Sequence, residues 1–362
     1  MTPSQTTTDP KSPPGFAIAG RPVGPGCPPF IIAELSGNHN GDIDRAFRLI
    51  DAAAQAGADA VKLQTYTPDT ITLDHDGPGF RLESGLWEGR TLYDLYTEAH
   101  TPYAWHGPLF AHARARGLIV FSSVFDETAV ELLEGLDAPA YKIASFEAID
   151  LPLIARTARA GKPLIVSTGM TTPAEIAAAI ATARAHGTGD VALLHCVSAY
   201  PARFSDANLR MIPRLAADYG CVAGLSDHTP GTAASVAAVT LGAAVIEKHV
   251  TLARADGGPD SSFSLEPDEL TRLTSDCRHA WEALGEAAYA RGPEEGVNRT
   301  FRRSLYIVRD VALGTRLTAA DVRSIRPGFG LEPERLAEVL GRSAMRPLKR
   351  GEPLAWDMIG DA

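Results

Sequence analysis

The sequence predicts an α/β protein, a (β/α)8 barrel of TIM type followed by a small second domain. Two observations carry that expectation. Short apolar runs rich in β-branched residues recur between longer Ala-rich segments of helical periodicity, and eight such runs precede residue 250. Strand then helix, repeated in this way, is the signature of a closed parallel barrel. An open doubly wound sheet is the alternative, which eight strands without a Gly-rich phosphate fingerprint fit poorly. The length of 362 residues accommodates a full barrel and a minor module.

In chain order, residues 1–27 read as a flexible Pro-rich tail. The tail has no charged stretch followed by an apolar core, so it does not read as a secretory signal. The barrel domain is expected over 28–289, with strands FIIAEL (30–35), AVKLQT (60–65), LIVFSS (118–123), AYKIAS (140–145), PLIVST (163–168), VALLHC (191–196), CVAGLS (221–226) and AVIEKH (244–249). Between them lie helical segments such as DIDRAFRLIDAAAQAG, PYAWHGPLFAHARARG, DETAVELLEGL, TPAEIAAAIATARAHG and GTAASVAAVTLG, several ending at a glycine that suits a C-cap. A long insert after the second strand, 66–100, carries Trp87, Tyr93 and Tyr96 and is expected to overhang one barrel mouth. A charged, Gly- and Pro-containing stretch, 290–300, reads as a linker. Beyond it, 301–362 forms the second domain, in which ALGTRLTAADV is echoed by LKRGEPLAWDMI as two similar halves. A module of roughly 60 residues buries only a modest core, so it is expected to lean on something else.

Composition narrows the partners. A hydrophobic fraction of 45% is ordinary for a globular chain. A formal charge of −10, from 34 basic against 44 acidic residues, argues against nucleic acid or an anionic membrane as the main partner, while small anionic ligands need only local positive charge. No apolar run approaches the roughly 20 residues of a membrane span. The cysteines at 27, 196, 221 and 277 are scattered without CxxC spacing, which points to reduced thiols and a cytoplasmic protein.

Reacting groups of a barrel sit at the C-terminal strand ends, and the unusual polar residues of this sequence gather there. Glu34 ends the first strand; Lys62 and Gln64, two apart, share one face of the second; Ser122 and Ser123 end the third. Lys142, Ser145 and Glu147 follow the fourth, Ser167 and Thr168 the fifth, and Ser198 and Tyr200 the sixth. Asp227 and His228 end the seventh, and Glu247, Lys248 and His249 the eighth. Two inward lysines are costly without anionic partners and invite a phosphate or carboxylate. His228 and His249 end adjacent strands, where two imidazoles can share a divalent ion beside those lysines and polarise a carbonyl. These residues also have plainer readings: Ser122, Ser123, Ser167 and Thr168 as helix caps, a lone Lys or Glu as a structural ion pair, His195 as a packed strand-end residue. His100, His106 and His112 are expected on the surface of the helical insert.

The stretches FIIAELSGNHNGD, GADAVKLQTYTPDTITL, YKIASFE, STGM, LHCVSAYP, GLSDHT and VIEKHVTL with GGPDSSFSLEP resemble those of the nonulosonic (sialic-type) acid synthases. The segment RSLYIVRDVALGTRLTAADVRSIRPGFG resembles their C-terminal antifreeze-like (SAF, β-clip) domain. The resemblance runs in order from about residue 28 to 359, and ELSGNHN, KLQTYTPDT and DSSFSLEP look most like the pseudaminic acid branch. It implies condensation of phosphoenolpyruvate with the aldehyde of an open-chain N-acylated amino sugar, with C–O cleavage and phosphate release. It also implies a divalent ion, usually manganese, with magnesium or cobalt as alternatives, held by His228 and His249. Glu34 matches the principal acid/base. Lys62 and Lys142 match the groups that hold phosphoenolpyruvate, with Gln64, Ser122, Ser145 and Ser167 as neutral donors around it. Glu147, Tyr200 and Asp260 match sugar-side positions; Ser198 stands where the sialic acid branch tends to carry Asn. Arg326 matches an arginine donated across a homodimer in which the small domain of one subunit covers the barrel of the other. The branches that take N-acetylmannosamine or the legionaminic acid precursor are the alternatives within the family. A Schiff-base aldolase using Lys62 or Lys142 and a non-catalytic sugar-binding barrel are the alternatives outside it.

Overall fold

The computed structural model describes residues 15–289 and 292–361. Composition places 1–27 in a tail, yet β1 (Phe16–Ile18) and β2 (Arg21–Val23) pair antiparallel around Ala19 and Gly20, both at positive φ as a two-residue hairpin turn requires. The physical reason is burial, because Ile18 and Val23 enter the apolar cluster inside the barrel, a contact that Pro and Gly content does not reveal. Residues 1–14 lie outside the described residues.

Eight parallel strands close the barrel: β3 (Phe30–Glu34), β4 (Ala60–Thr65), β5 (Ile119–Val124), β6 (Tyr141–Ile143), β7 (Leu164–Ser167), β8 (Val191–Cys196), β9 (Val222–Asp227) and β10 (Val245–His249), with β10 returning to β3. Alternation along the strands sorts the side chains into two shells. Phe30, Ile32, Phe121, Ile165, Leu194 and Val245 point inward and fill the interior. Ile31, Val61, Leu63, Val120, Ile143 and Leu193 point outward against helices such as Ile43–Gln55 and Tyr103–Ala115. The helices start where their sequences provide caps. Asp42 accepts from the Asp44 amide, and Thr172 with Glu175 forms a capping box before Pro173–His186. Gly224 on β9 is required by a close approach, since a Cβ there would lie 2.4 Å from the Val245 carbonyl oxygen.

Register sets the height of the polar residues. His249 is opposite Glu34, Glu34 opposite Lys62, Gln64 opposite Ser123, and Ser123 opposite Lys142. Neighbouring strands therefore bring these groups to one level at the C-terminal end of the barrel.

The chain divides into two compact units between Gly285 and Glu286. The stretch 290–300 holds a short helix, Pro293–Asn298, leading into the turn Arg299–Phe301; residues 290 and 291 lie outside the described residues. In the second unit β11 (Ser304–Ile307) pairs with β12 (Val322–Ile325), and β13 (Ser343–Ala344) with β14 (Ile359–Gly360). Isolated bridges between Val311 and Leu348 and between Tyr306 and Pro353 link its two halves around a core of its own that includes Leu305, Ile307, Leu317 and Leu354. Among the described residues no helix is long and apolar enough to cross a membrane.

Candidate active site

A cavity of about 490 Å3 opens at the C-terminal strand ends, lined by Lys62, Gln64, Lys142, His228, Glu247, His249 and Asp260 among others. Its floor is an array of alternating charge. Lys62 Nζ lies 2.6 Å from Glu34 Oε2 and 3.5 Å from Glu247 Oε1, and donates to Ser123 Oγ at 2.9 Å. Lys142 Nζ donates to Ser167 Oγ at 2.7 Å but has Glu247 Oε1 only at 3.8 Å. Gln64 Nε2 donates to Glu34 Oε1 at 2.8 Å.

These contacts decide where charge sits. Burial pushes the Glu34 carboxyl up, and nearby Lys62 only partly opposes it. Burial acts on Glu247 in the same sense, but Lys142 and Lys62 outweigh it and hold that carboxyl down. Lys62 resists the lowering effect of burial because Glu247 and Glu34 flank it, and its ammonium is raised. Lys142 is lowered by burial, which Glu247 at 3.8 Å, opposed by Lys62, does not offset. The under-compensated cation of the array is Lys142, and an anion in the cavity would complete it.

Beside the array stand the two histidines, with ring centroids 5.2 Å apart. His228 Nδ1 lies 3.0 Å from the Val197 carbonyl oxygen, a contact that places a proton on Nδ1 and leaves the Nε2 lone pair free. Burial, reinforced by His228 and the lysines, pushes His249 well below its ordinary range, so this imidazole is neutral. Its Nδ1 is 3.2 Å from Ser36 Oγ and 3.8 Å from Asp260 Oδ2. Ser36 holds its hydroxyl there from a strained backbone position at φ 43°. Burial raises the Asp260 carboxyl, with the Ser36 hydroxyl opposing. Cys196 lies 3.9 Å from His228 Nδ1; burial would raise its thiol, but His228 brings it down to about 7. Among the described residues no group of three or more His, Cys, Asp or Glu side chains is assembled as for a metal ion. Burial would lower His228, but Cys196 and the Val197 carbonyl outweigh it and raise this imidazole; with neutral His249 it is the pair that would hold a catalytic cation.

Behind the cavity, Lys248 and Asp227 form a buried pair at 2.9 Å facing the helices. Asp227 also accepts from the Thr229 amide at 2.8 Å and from Ser235 Oγ at 2.7 Å, which locks the turn bearing His228.

Of the residues singled out in the sequence, Lys62, Gln64, Lys142, Ser145, Glu147, Ser167, Tyr200, His228, His249 and Asp260 line the cavity. Glu34 lies at its base through Gln64 and Lys62. Ser198 is at the edge, its Oγ 3.9 Å from Cys196 Sγ. Ser122 does not face the cavity. It points outward and accepts from Thr65 Oγ1 at 2.6 Å, because Phe121 must face the interior and the strand alternates. Ser123 takes the place expected for it, and the same alternation brings Glu247 in line with His249. His106 is also not on the surface; it is fully buried with Nε2 2.8 Å from Thr65 Oγ1. Arg326 belongs to the second unit, exposed beside Asn298, Phe301, Arg302 and Arg303.

Known proteins share this combination of barrel and module. The profile described as the NeuB family matches residues 49–289, and that of the SAF domain matches 302–360. The chain belongs to the NeuB family. Its relatives in that family include the pseudaminic acid synthase of Helicobacter pylori, 43% identical over 92% of this chain and 98% of the relative. The N,N'-diacetyllegionaminic acid synthase of Legionella pneumophila is 33% identical over 94% of this chain and 97% of its own length. A crystal structure of N-acetylneuraminic acid synthetase from Leptospira borgpetersenii superposes with a TM-score of 0.71 at 30% identity, covering 79% of this chain and 95% of that one.

Proposed function

We propose that this NeuB-family barrel catalyses the pseudaminic acid synthase reaction, the condensation of phosphoenolpyruvate with 2,4-diacetamido-2,4,6-trideoxy-L-altrose. The observation that carries this reading is the under-compensated Lys142 beside the Lys62 and Glu34 pair, 2.6 Å apart, with two histidines alongside. The 43% identity to the Helicobacter pylori synthase, against 33% to the legionaminic acid enzyme, supports this choice of sugar.

In the reaction, C3 of phosphoenolpyruvate bonds to the aldehyde carbon, and water adds to C2. The C2–O bond to phosphate then breaks, phosphate leaves, and the aldehyde oxygen takes up a proton. Lys142 and Lys62 hold the carboxylate and phosphate charges, with Gln64, Ser123, Ser145 and Ser167 donating around them. Glu34, kept protonatable by its burial, is the acid/base. Glu147, Tyr200, Ser198 and Asp260 face the sugar. His228 and His249 would hold a divalent ion, manganese in preference to magnesium or cobalt, and that ion would supply Lewis-acid polarisation of the aldehyde. The working form is a homodimer in which Arg326 of one copy reads an acetamido group in the barrel of the other. Exposed Phe146, Ile149, Met170 and Phe204 in loops after β6, β7 and β8, and exposed Phe329 near Arg326, support a covering copy. Four free cysteines fit a cytoplasmic enzyme.

The test incubates the protein with phosphoenolpyruvate, manganese and each candidate sugar, scored by product mass. The expected outcome is EDTA-sensitive phosphate release and product with the L-altrose derivative. Turnover with N-acetylmannosamine alone would overturn the assignment, as would borohydride trapping of a pyruvate adduct on Lys62 or Lys142.

A further inference from the structure

The cavity has two unlike walls. One carries the charged groups described above. The other is lent by the insert, and every side chain that 66–99 contributes is apolar or aromatic, among them Ile71, Leu82, Trp87, Leu92, Leu95 and Tyr96. Trp87 sits near the tip of a hairpin-like loop closed by Leu82 N donating to the Arg90 carbonyl at 2.9 Å and Gly89 N to the Leu82 carbonyl at 2.8 Å. Its indole Nε1 donates to the Pro259 carbonyl at 2.7 Å, tying the loop to the turn that carries Asp260. With its one donor used, Trp87 offers the cavity only hydrocarbon surface.

The aromatic rings give a direction and a length. Trp87 packs on Tyr200 with centroids 5.6 Å apart, and Tyr200 on His228 at 4.5 Å. Two ring-to-ring steps therefore separate the indole from the histidine beside which the aldehyde reacts. An open-chain six-carbon sugar with its aldehyde at the histidines is long enough to pass the Tyr200 ring, and its far end is then the part nearest the insert wall. A methyl group against the Leu82 and Trp87 side chains buries apolar surface, whereas a hydroxyl there gains no hydrogen bond from either, the polar atoms of the wall being the phenolic oxygens of Tyr66 and Tyr96.

We infer that the insert is the sugar-specificity element and that Trp87 reads the deoxy carbon at the far end of the substrate. This rests on the synthase reading and adds to it the residue that separates 6-deoxy from 6-hydroxy sugars. The wall selects by contact, so its discrimination is bounded. An apolar pocket rejects an added hydroxyl by on the order of 10- to 100-fold.

The test measures kcat/KM for 2,4-diacetamido-2,4,6-trideoxy-L-altrose and for its 6-hydroxy counterpart, with the KM for phosphoenolpyruvate as a control. Wild type is expected to favour the deoxy sugar by that factor. Trp87→Ala is expected to bring the ratio to within a few-fold by raising the KM for the deoxy sugar, with the KM for phosphoenolpyruvate unchanged. Trp87→Phe keeps a ring in the wall and is expected to retain most of the preference. Leu82→Asn puts an amide into the wall with the indole tether intact, and is expected to lower the ratio without depending on the alanine variant's folding. An undiminished ratio in Trp87→Ala and Leu82→Asn overturns the inference while leaving the synthase reading in place. Failure of wild type to consume phosphoenolpyruvate with the trideoxy sugar overturns that reading itself.

Discussion

The lower and upper halves of the barrel interior are built from the same eight strands, yet they obey opposite rules. Toward the N-terminal ends, Phe30, Ile32, Phe121, Ile165, Val222 and Val245 interlock with Ile18 and Val23 of the hairpin as a dry plug. Two residues further along the same strand faces stand Glu34, Ser123, Ser167 and Glu247, with Lys62 and Lys142 between them. The lower layer contributes to stability through area removed from water and close packing. The upper layer places two lysines and two glutamates out of water, where pairing offsets a desolvation cost that apolar residues would never incur. The fold therefore stores stability below the site and spends some of it at the site.

Substituting each layer separately tests this division. The largest effect is expected from His249→Ala in the upper layer. Phosphate release should fall by roughly 10³-fold or more, and calorimetric manganese binding should be lost, because the proposed metal site loses one of its two imidazoles. Its melting temperature should stay within about 3 °C of wild type, since a buried, neutral imidazole adds little to the fold. Normal activity would refute the two-histidine site, and collapse of the fold would refute the division between layers. Phe121→Ala in the lower layer is the converse. Phe121 is fully buried, and its truncation should cost about 3–5 kcal/mol in urea unfolding. The folded fraction should keep kcat within a few-fold of wild type. A large loss of kcat at full folding would show that the plug also positions Lys62, which is its register partner on β4.

The two layers were not equally legible in the sequence. The strands β3 to β10 and most helices follow from alternating apolar runs and caps, because a barrel repeats one local rule eight times. The lysines and histidines of the upper layer were readable as polar residues at the ends of apolar runs. Which neighbour faces inward was less readable. Ser122 and Ser123 are chemically identical, and only the demand that Phe121 fill the interior tells them apart. The hairpin at 16–23 was hidden because strands of three residues, FAI and RPV, are too short to carry a periodicity of their own, and their burial comes from the barrel they close. His106 was misplaced for a related reason. A histidine in a helical insert reads as exposed until its partner Thr65, 41 residues earlier, is known to stand on the facing strand.

Glu147, at the rim just past β6, gives the smallest and most specific test. Its Oε2 is buried without a hydrogen-bond partner, and burial pushes the carboxyl from its ordinary 4.5 up to about 7, with Lys142 too weak an attraction to prevent it. A carboxyl raised in the folded state binds its proton more tightly there than in the unfolded chain. The linked stability is thus fully present below the ordinary pKa and is lost as pH rises through about 7. Glu147→Gln keeps the shape and removes the titration. At about pH 4 it should match wild type, and at about pH 8.5 it should be more stable by about 2 kcal/mol, discounted for the residue's partial exposure. The KM for the sugar should rise while that for phosphoenolpyruvate holds, and the dependence of sugar KM on pH between about 6 and 8 should flatten. A variant that loses stability equally at both pH values would mean that Glu147 is ionised and paired in the fold. The upper layer would then be fully compensated at its rim, and its cost would lie in the lysine floor alone.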